Sequence, residues 1–124
     1  MCQLCYNDED LVGCGCAVEK DTGLTEYGEK VISEMNRLGI VVDCAHTGHN
    51  TSLDAIAASK SPVIISHGNA SSICNNKRNC EDDLIKAWIN TYFPVNIGLR
   101  FSMKAVTASV RSLDGTILVL MEAT

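Results

Sequence analysis

Ile40-Val41-Val42-Asp43-Cys44-Ala45-His46 and Pro62-Val63-Ile64-Ile65-Ser66-His67 are two short, mostly apolar runs, and each ends on a histidine. β-Branched residues dominate both. Such runs predict strands buried on both faces of a parallel sheet, where helices cover each side.

The flanking sequence supplies those helices. Val31, Ile32, Met35 and Leu38 recur at helical spacing between Glu26 and Leu38. Glu26 and Glu29 at the start and Arg37 near the end suit the helix dipole, and Gly39 is the stop. Between the two runs, Thr51 or Ser52 is a candidate cap for a helix reaching Ser59, with Leu53, Ile56 and Ala57 turned inward. His49 falls in a polar loop and reads as a solvated side chain. After a polar stretch from Gly68 to Asn79, a third helix is expected. Asn79 would cap it, Glu81, Asp82 and Asp83 fill its first turn, and Leu84, Ile85 and Trp88 share one face. Strands alternating with helices at this pace predict parallel βα units, in either an open doubly wound sheet or a slice of a (β/α)8 barrel.

The two ends read differently. Residues 2–25 are rich in Gly, Asp, Asn and Cys and predict loop, apart from a short strand at Gln3-Leu4-Cys5-Tyr6. Beyond Pro94, Val106, Ala108 and Val110 alternate, Asp114-Gly115 offers a turn and Thr116 to Met121 is apolar. A C-terminal β-hairpin is expected there. The chain thus divides into residues 1–90, the βα part, and a distinct segment at 91–124.

Composition narrows the function classes. With 124 residues, 46% hydrophobic and 20% charged, the chain suits one globular domain rather than a disordered segment. A formal charge of -5, with ten scattered Lys and Arg residues, argues against nucleic acid as a partner. No apolar stretch approaches the ~20 residues that span a bilayer, and the N-terminus has no signal-peptide pattern. Seven cysteines cannot all pair within one chain, which favours reduced thiols and a cytoplasmic setting.

His46 and His67 stand at equivalent places, each just past a buried strand, at the edge where α/β folds collect ligands and catalytic groups. Imidazole is a common zinc ligand, and ligands on neighbouring parallel strands, about 4.8 Å apart, can converge on one metal. The alternative is a pair of hydrogen-bonded loop histidines. Asp43, acidic within an apolar strand and three residues before His46, is either a group that orients a ligand or a structural hydrogen-bond acceptor.

Several phrases occur in order: Gly23-Leu24-Thr25 with Gly28, Met35-Asn36-Arg37-Leu38-Gly39-Ile40, Val42-Asp43-Cys44-Ala45-His46, Pro62 through Ala70, and Arg78-Asn79 with Asp82-Asp83. Together they resemble the consecutive motifs of the membrane (renal) dipeptidase family of zinc peptidases, over about residues 4–88. The resemblance implies a (β/α)8 barrel in which two zinc ions share a bridging carboxylate and hold the water that attacks a dipeptide's peptide bond. It implies that His46 and His67 ligate one zinc and that Arg78 pairs with the substrate's C-terminal carboxylate, a role suited to a bidentate guanidinium. Tyr6 lies where many members carry a histidine that contacts the reacting carbonyl, so the sequence departs from the family there.

The family's early His-x-Asp pair, bridging Glu and late acid/base Asp fall outside the matching region, and no catalytic group is assigned. A (β/α)8 barrel needs about 250 residues, so this chain is expected to form about half of one. It reads as a truncated dipeptidase with at most one weak zinc site and little activity alone. Open strand edges predict a homo-oligomer. Two other readings compete: a non-catalytic remnant that binds a partner, and a small Cys-zinc module built from Cys2, Cys5, Cys14 and Cys16.

Overall fold

The structure, a computed structural model, describes residues 1–92. The hairpin expected between Val106 and Met121 lies outside the described residues. In chain order the elements are β1 (Cys2–Gln3), α1 (Glu26–Leu38), β2 (Val42–Asp43), α2 (His49–Ala58) and α3 (Asp82–Tyr92).

β1 and β2 are parallel, with Cys2 opposite Val42 and Gln3 opposite Asp43. The ladder continues from Asp43 to Ile64, again in parallel. Leu4 N–H donates to Asp43 O at 3.0 Å, Ile64 N–H to Val42 O at 2.9 Å, and Cys44 N–H to Ile64 O at 2.8 Å. The described part is therefore a small α/β unit with three chain segments in parallel register and helices between them. Both strand expectations hold in place but not in length. The run from Ile40 narrows to two ladder residues, and that from Pro62 to one bridge at Ile64. Val41, expected inside, is exposed, whereas Val42, Cys44 and Ala45 are buried.

α1 forms where the periodicity places it. The Thr25 hydroxyl accepts the Gly28 N–H at 3.0 Å, satisfying one of the donors that a helix start leaves open. Gly39, at φ 69°, ends it in the left-handed conformation that a side chain would disfavour. Ile32 and Met35 face inward and meet Leu4, Val42, Ala55, Val63, Ile65 and Leu84 in one core. Ile32, Val42 and Val63 are almost fully buried, each contributing about 1.5–3 kcal/mol of transfer free energy. Trp88 of α3 ties itself to this core by donating its indole N–H to Val63 O at 2.8 Å.

α2 departs from expectation at its start. It begins at His49, not beyond Thr51, and Gly48 precedes it without a side-chain cap. The missing cap comes from afar: Asp21 accepts the Thr51 N–H at 3.0 Å and the Thr51 hydroxyl at 2.6 Å. Thr51 and Ser52 are thus buried helix residues rather than caps. α3 likewise starts later than an Asn79 cap would give, because Asn79 instead donates its side-chain amide to Cys74 O at 2.7 Å.

Candidate metal and substrate site

Register alone aligns three rings. Gln3, Asp43 and Ile64 lie side by side in the ladder, and Tyr6, His46 and His67 each stand three positions further along. The Tyr6 and His46 rings stack with centroids 4.3 Å apart and planes inclined 22°. His46 and His67 meet edge to face at 5.0 Å. All three lie past the carboxyl ends of parallel strands, the usual ligand side of such folds.

The backbone around His46 is held unusually. His46 has φ 64°, a left-handed value rare outside glycine. The N-terminal loop clamps it: Cys16 N–H donates to His46 O at 2.7 Å and Gly48 N–H to Cys14 O at 2.8 Å. A Cβ at Gly15, between those two cysteines, would collide with the backbone of Tyr6 and Asn7, so the crossing needs glycine.

Each imidazole is anchored through Nδ1. Asn7 Oδ1 lies 2.9 Å from His46 Nδ1, and Ser66 Oγ lies 2.9 Å from His67 Nδ1. The Ser66 hydroxyl donates to Asp43 Oδ2 at 2.6 Å. Asp43 is buried, and its Oδ1 accepts the Ala45 and Ser66 N–H groups, each at 3.0 Å. Burial holds the His46 pKa below the usual imidazole value. The Arg78 guanidinium and His67 push the same way, and Asp43 offsets them only in part.

Both histidines line an open cavity of about 520 Å³ that also takes in Arg78. An excursion of the chain brings Arg78 there. Ser71 and Cys80 pair across its neck, Ser71 N–H donating to Cys80 O at 2.8 Å, and Asn76 accepts the Arg78 N–H at 2.9 Å. The Arg78 Nη1 is buried and lacks a hydrogen-bond partner among the described residues. Tyr6 does not line this cavity; its contact with the site is the stack on His46.

His49, expected as a solvated loop residue, opens α2, lines the cavity and lies 3.2 Å from Asp83 Oδ2. With Glu81 it completes the only group of three ligand-type side chains within 4.8 Å among the described residues. The two carboxylates are exposed. Cys2, Cys5, Cys14 and Cys16 do not converge in this way. Cys5 donates toward Asp10, Cys16 toward Asn7, and Cys14 contacts Thr22. Asn7, Ser66 and Asp21 are the working residues that motif reading did not single out. Ser66 had one legible signal, its place beside His67.

Two ring-anchored histidines and the Arg78 guanidinium, whose Nη1 has no hydrogen-bond partner among the described residues, thus face one cavity. Comparison with known proteins shows the family. The membrane dipeptidase family, peptidase family M19, matches residues 2–112, and the chain belongs to that family. The match runs past Trp88, where the legible motifs stop. An uncharacterized dipeptidase of Schizosaccharomyces pombe is 46% identical over 66 residues, 53% of this chain and 16% of that protein. Dipeptidase 3 of Rattus norvegicus is 43% identical over 65 residues, 52% of this chain and 13% of that protein.

Among solved structures, an amidohydrolase from Pseudomonas aeruginosa matches with a TM-score of 0.69 at 41% identity, covering 73% of this chain and 27% of that one. A metallopeptidase from Rhodobacter sphaeroides, liganded with a phosphinate mimic of the dipeptide L-Ala-D-Ala, shares the fold. Its TM-score is 0.66 at 23% identity, with coverage of 73% and 27%. The chain therefore spans well under a third of each of these relatives. No helix among the described residues is long and apolar enough to cross a membrane.

Proposed function

We propose that this chain carries the two-histidine zinc site and the carboxylate-binding arginine of a dipeptidase, on consecutive parallel strands of a (β/α)8 barrel. One observation carries the reading. His46 and His67 emerge in register with rings 5.0 Å apart, and both have Nδ1 engaged, which leaves both Nε2 atoms for a metal.

The donor set suits zinc, since neutral imidazole is among its commonest ligands and the depressed His46 pKa favours that neutral form. Bound zinc supplies Lewis acidity toward a carbonyl oxygen and lowers the pKa of water to about 7. The remaining work belongs to the chain. Arg78, with a buried Nη1 unpaired among the described residues, offers a dipeptide's carboxylate a charge-assisted hydrogen bond and sets which end of the substrate meets the histidines. Asp43 and Asn7 hold the two rings in place. Residues 1–90 form the dipeptidase-like unit of this reading.

The test is zinc titration by calorimetry together with dipeptide hydrolysis, on the full chain beside its His46→Ala, His67→Ala double variant. Zinc binding in the parent and its loss in the variant are the expected result. Equal zinc binding by both would sink the reading and redirect attention to the cysteines. Turnover that depends on zinc and on both histidines would extend it to catalysis.

A further inference from the structure

The hydrogen bonds around the two imidazoles fix where their protons sit. Ser66 has one hydroxyl proton, and the 2.6 Å bond to Asp43 Oδ2 engages it. Toward His67 the same oxygen can therefore only accept, so the 2.9 Å contact requires the proton on His67 Nδ1. The Asp43 carboxylate is committed as well, since three donors converge on it in a buried setting. His46 reaches the same state by another route. Its Nδ1 faces Asn7 Oδ1, an acceptor that also receives the Cys16 thiol at 3.6 Å. Two unrelated devices, an amide and a carboxylate-hydroxyl relay, thus select one tautomer on both rings.

We infer that Asn7 and the Asp43–Ser66 pair are positioning residues that hold His46 and His67 as Nδ1–H imidazoles before any metal arrives. The inference rests on the zinc-site reading for its purpose, but the tautomers themselves belong to the metal-free chain. A preset tautomer leaves the Nε2 lone pair exposed on each ring, so binding needs no proton shift at either ligand. Removing such a partner of a metal-binding histidine weakens affinity by about 10–100-fold.

Ring ¹⁵N NMR of the metal-free full chain, at a pH where imidazole is neutral, reads this directly. The expected spectrum shows Nδ1 protonated and Nε2 bare on both His46 and His67. Ser66→Ala should release His67 into a tautomer mixture and leave His46 unchanged. Asn7→Ala should do the reverse, and Ser66→Thr should restore the parent pattern. Zinc affinity should fall about 10–100-fold in either alanine variant. A parent spectrum with mixed or Nε2–H tautomers overturns the inference without any variant. Parent-like ring signals in both alanine variants overturn it too. Fixed tautomers that respond to the variants, in a chain that takes up no zinc, would uphold the relay and remove only the metal reading.

Discussion

Tyr6 and His46 stack at 4.3 Å although 64% of the tyrosine is exposed to solvent. Since the phenol does not line the cavity, its contribution is the ring face. Tyr6→Phe should leave stability within ~0.5 kcal/mol of the parent, and Tyr6→Ala should cost about 0.5–1.5 kcal/mol. Urea unfolding of the three proteins measures both. A large loss on Tyr6→Phe would give the hydroxyl a role that the structure does not indicate.

Arg78 combines a stability cost with the binding role proposed for it. Its buried Nη1 has no partner among the described residues, and such a group costs about 1–3 kcal/mol. Arg78→Met should therefore be neutral or stabilising in thermal unfolding. The same change should abolish discrimination between a dipeptide and its C-terminal amide, which calorimetry on the zinc-loaded chain would read as a loss of about 10-fold or more in preference for the free acid.

Asp21 sets an acid limit on stability. Burial works to raise its pKa. The Thr51 hydroxyl, with the N–H groups of Thr51, Gly23 and Asn50, outweighs burial and holds the pKa below the ordinary carboxylate value. A pKa depressed by folding stabilises the native state fully above the unfolded value of ~3.9, and that stabilisation disappears as pH falls through the folded value. Asp21→Ala should cost about 1–2 kcal/mol near neutrality, as loss of a helix cap does. Comparing unfolding at neutral and strongly acid pH should show a smaller difference between parent and variant in acid.

The seven cysteines are all free, and their reactivity should divide by environment. Burial pushes the Cys5 and Cys44 thiols up to about 12, with the charges of Asp10 and Asp43 adding to it. Cys2 and Cys74 are exposed. Iodoacetamide at mildly alkaline pH should modify Cys2 and Cys74 first in the native chain and reach Cys5 and Cys44 only after denaturation. Mass spectrometry of timed samples provides the check.

Local signals were legible in the sequence and distant ones were not. α1 needed only nearby residues, with Glu26 and Glu29 in its first turn, Ile32 and Met35 turned inward and Gly39 to end it, although Leu38, read on the same face, is exposed. The histidines were legible for a similar reason, because apolar runs mark where the sheet passes through the core. The start of α2 was hidden because its cap, Asp21, lies 30 residues away, and no pattern near Thr51 announces it. That shift moved His49 from a loop into a helix. Strand lengths were overread because apolar character marks burial, and burial extends beyond the few residues that share ladder hydrogen bonds. Asp43 was left open between two roles; the structure shows it accepting N–H bonds on Oδ1 and, on Oδ2, the hydroxyl of Ser66, which in turn contacts His67.

The equal reach of Tyr6, His46 and His67 beyond the ladder makes segment length, rather than side-chain identity alone, the quantity on which the site depends. Adding one residue at Cys44–Ala45 or Ile65–Ser66 would carry a histidine out of the row even with every side chain retained. The excursion between Ser71 and Cys80 is different, since those two residues close its neck and spare residues ahead of Arg78 can bulge outward. Single-codon insertions should therefore sort sharply along this chain. They would be damaging in the short links after the strands and far milder within the excursion, a map that substitution scanning would not reveal.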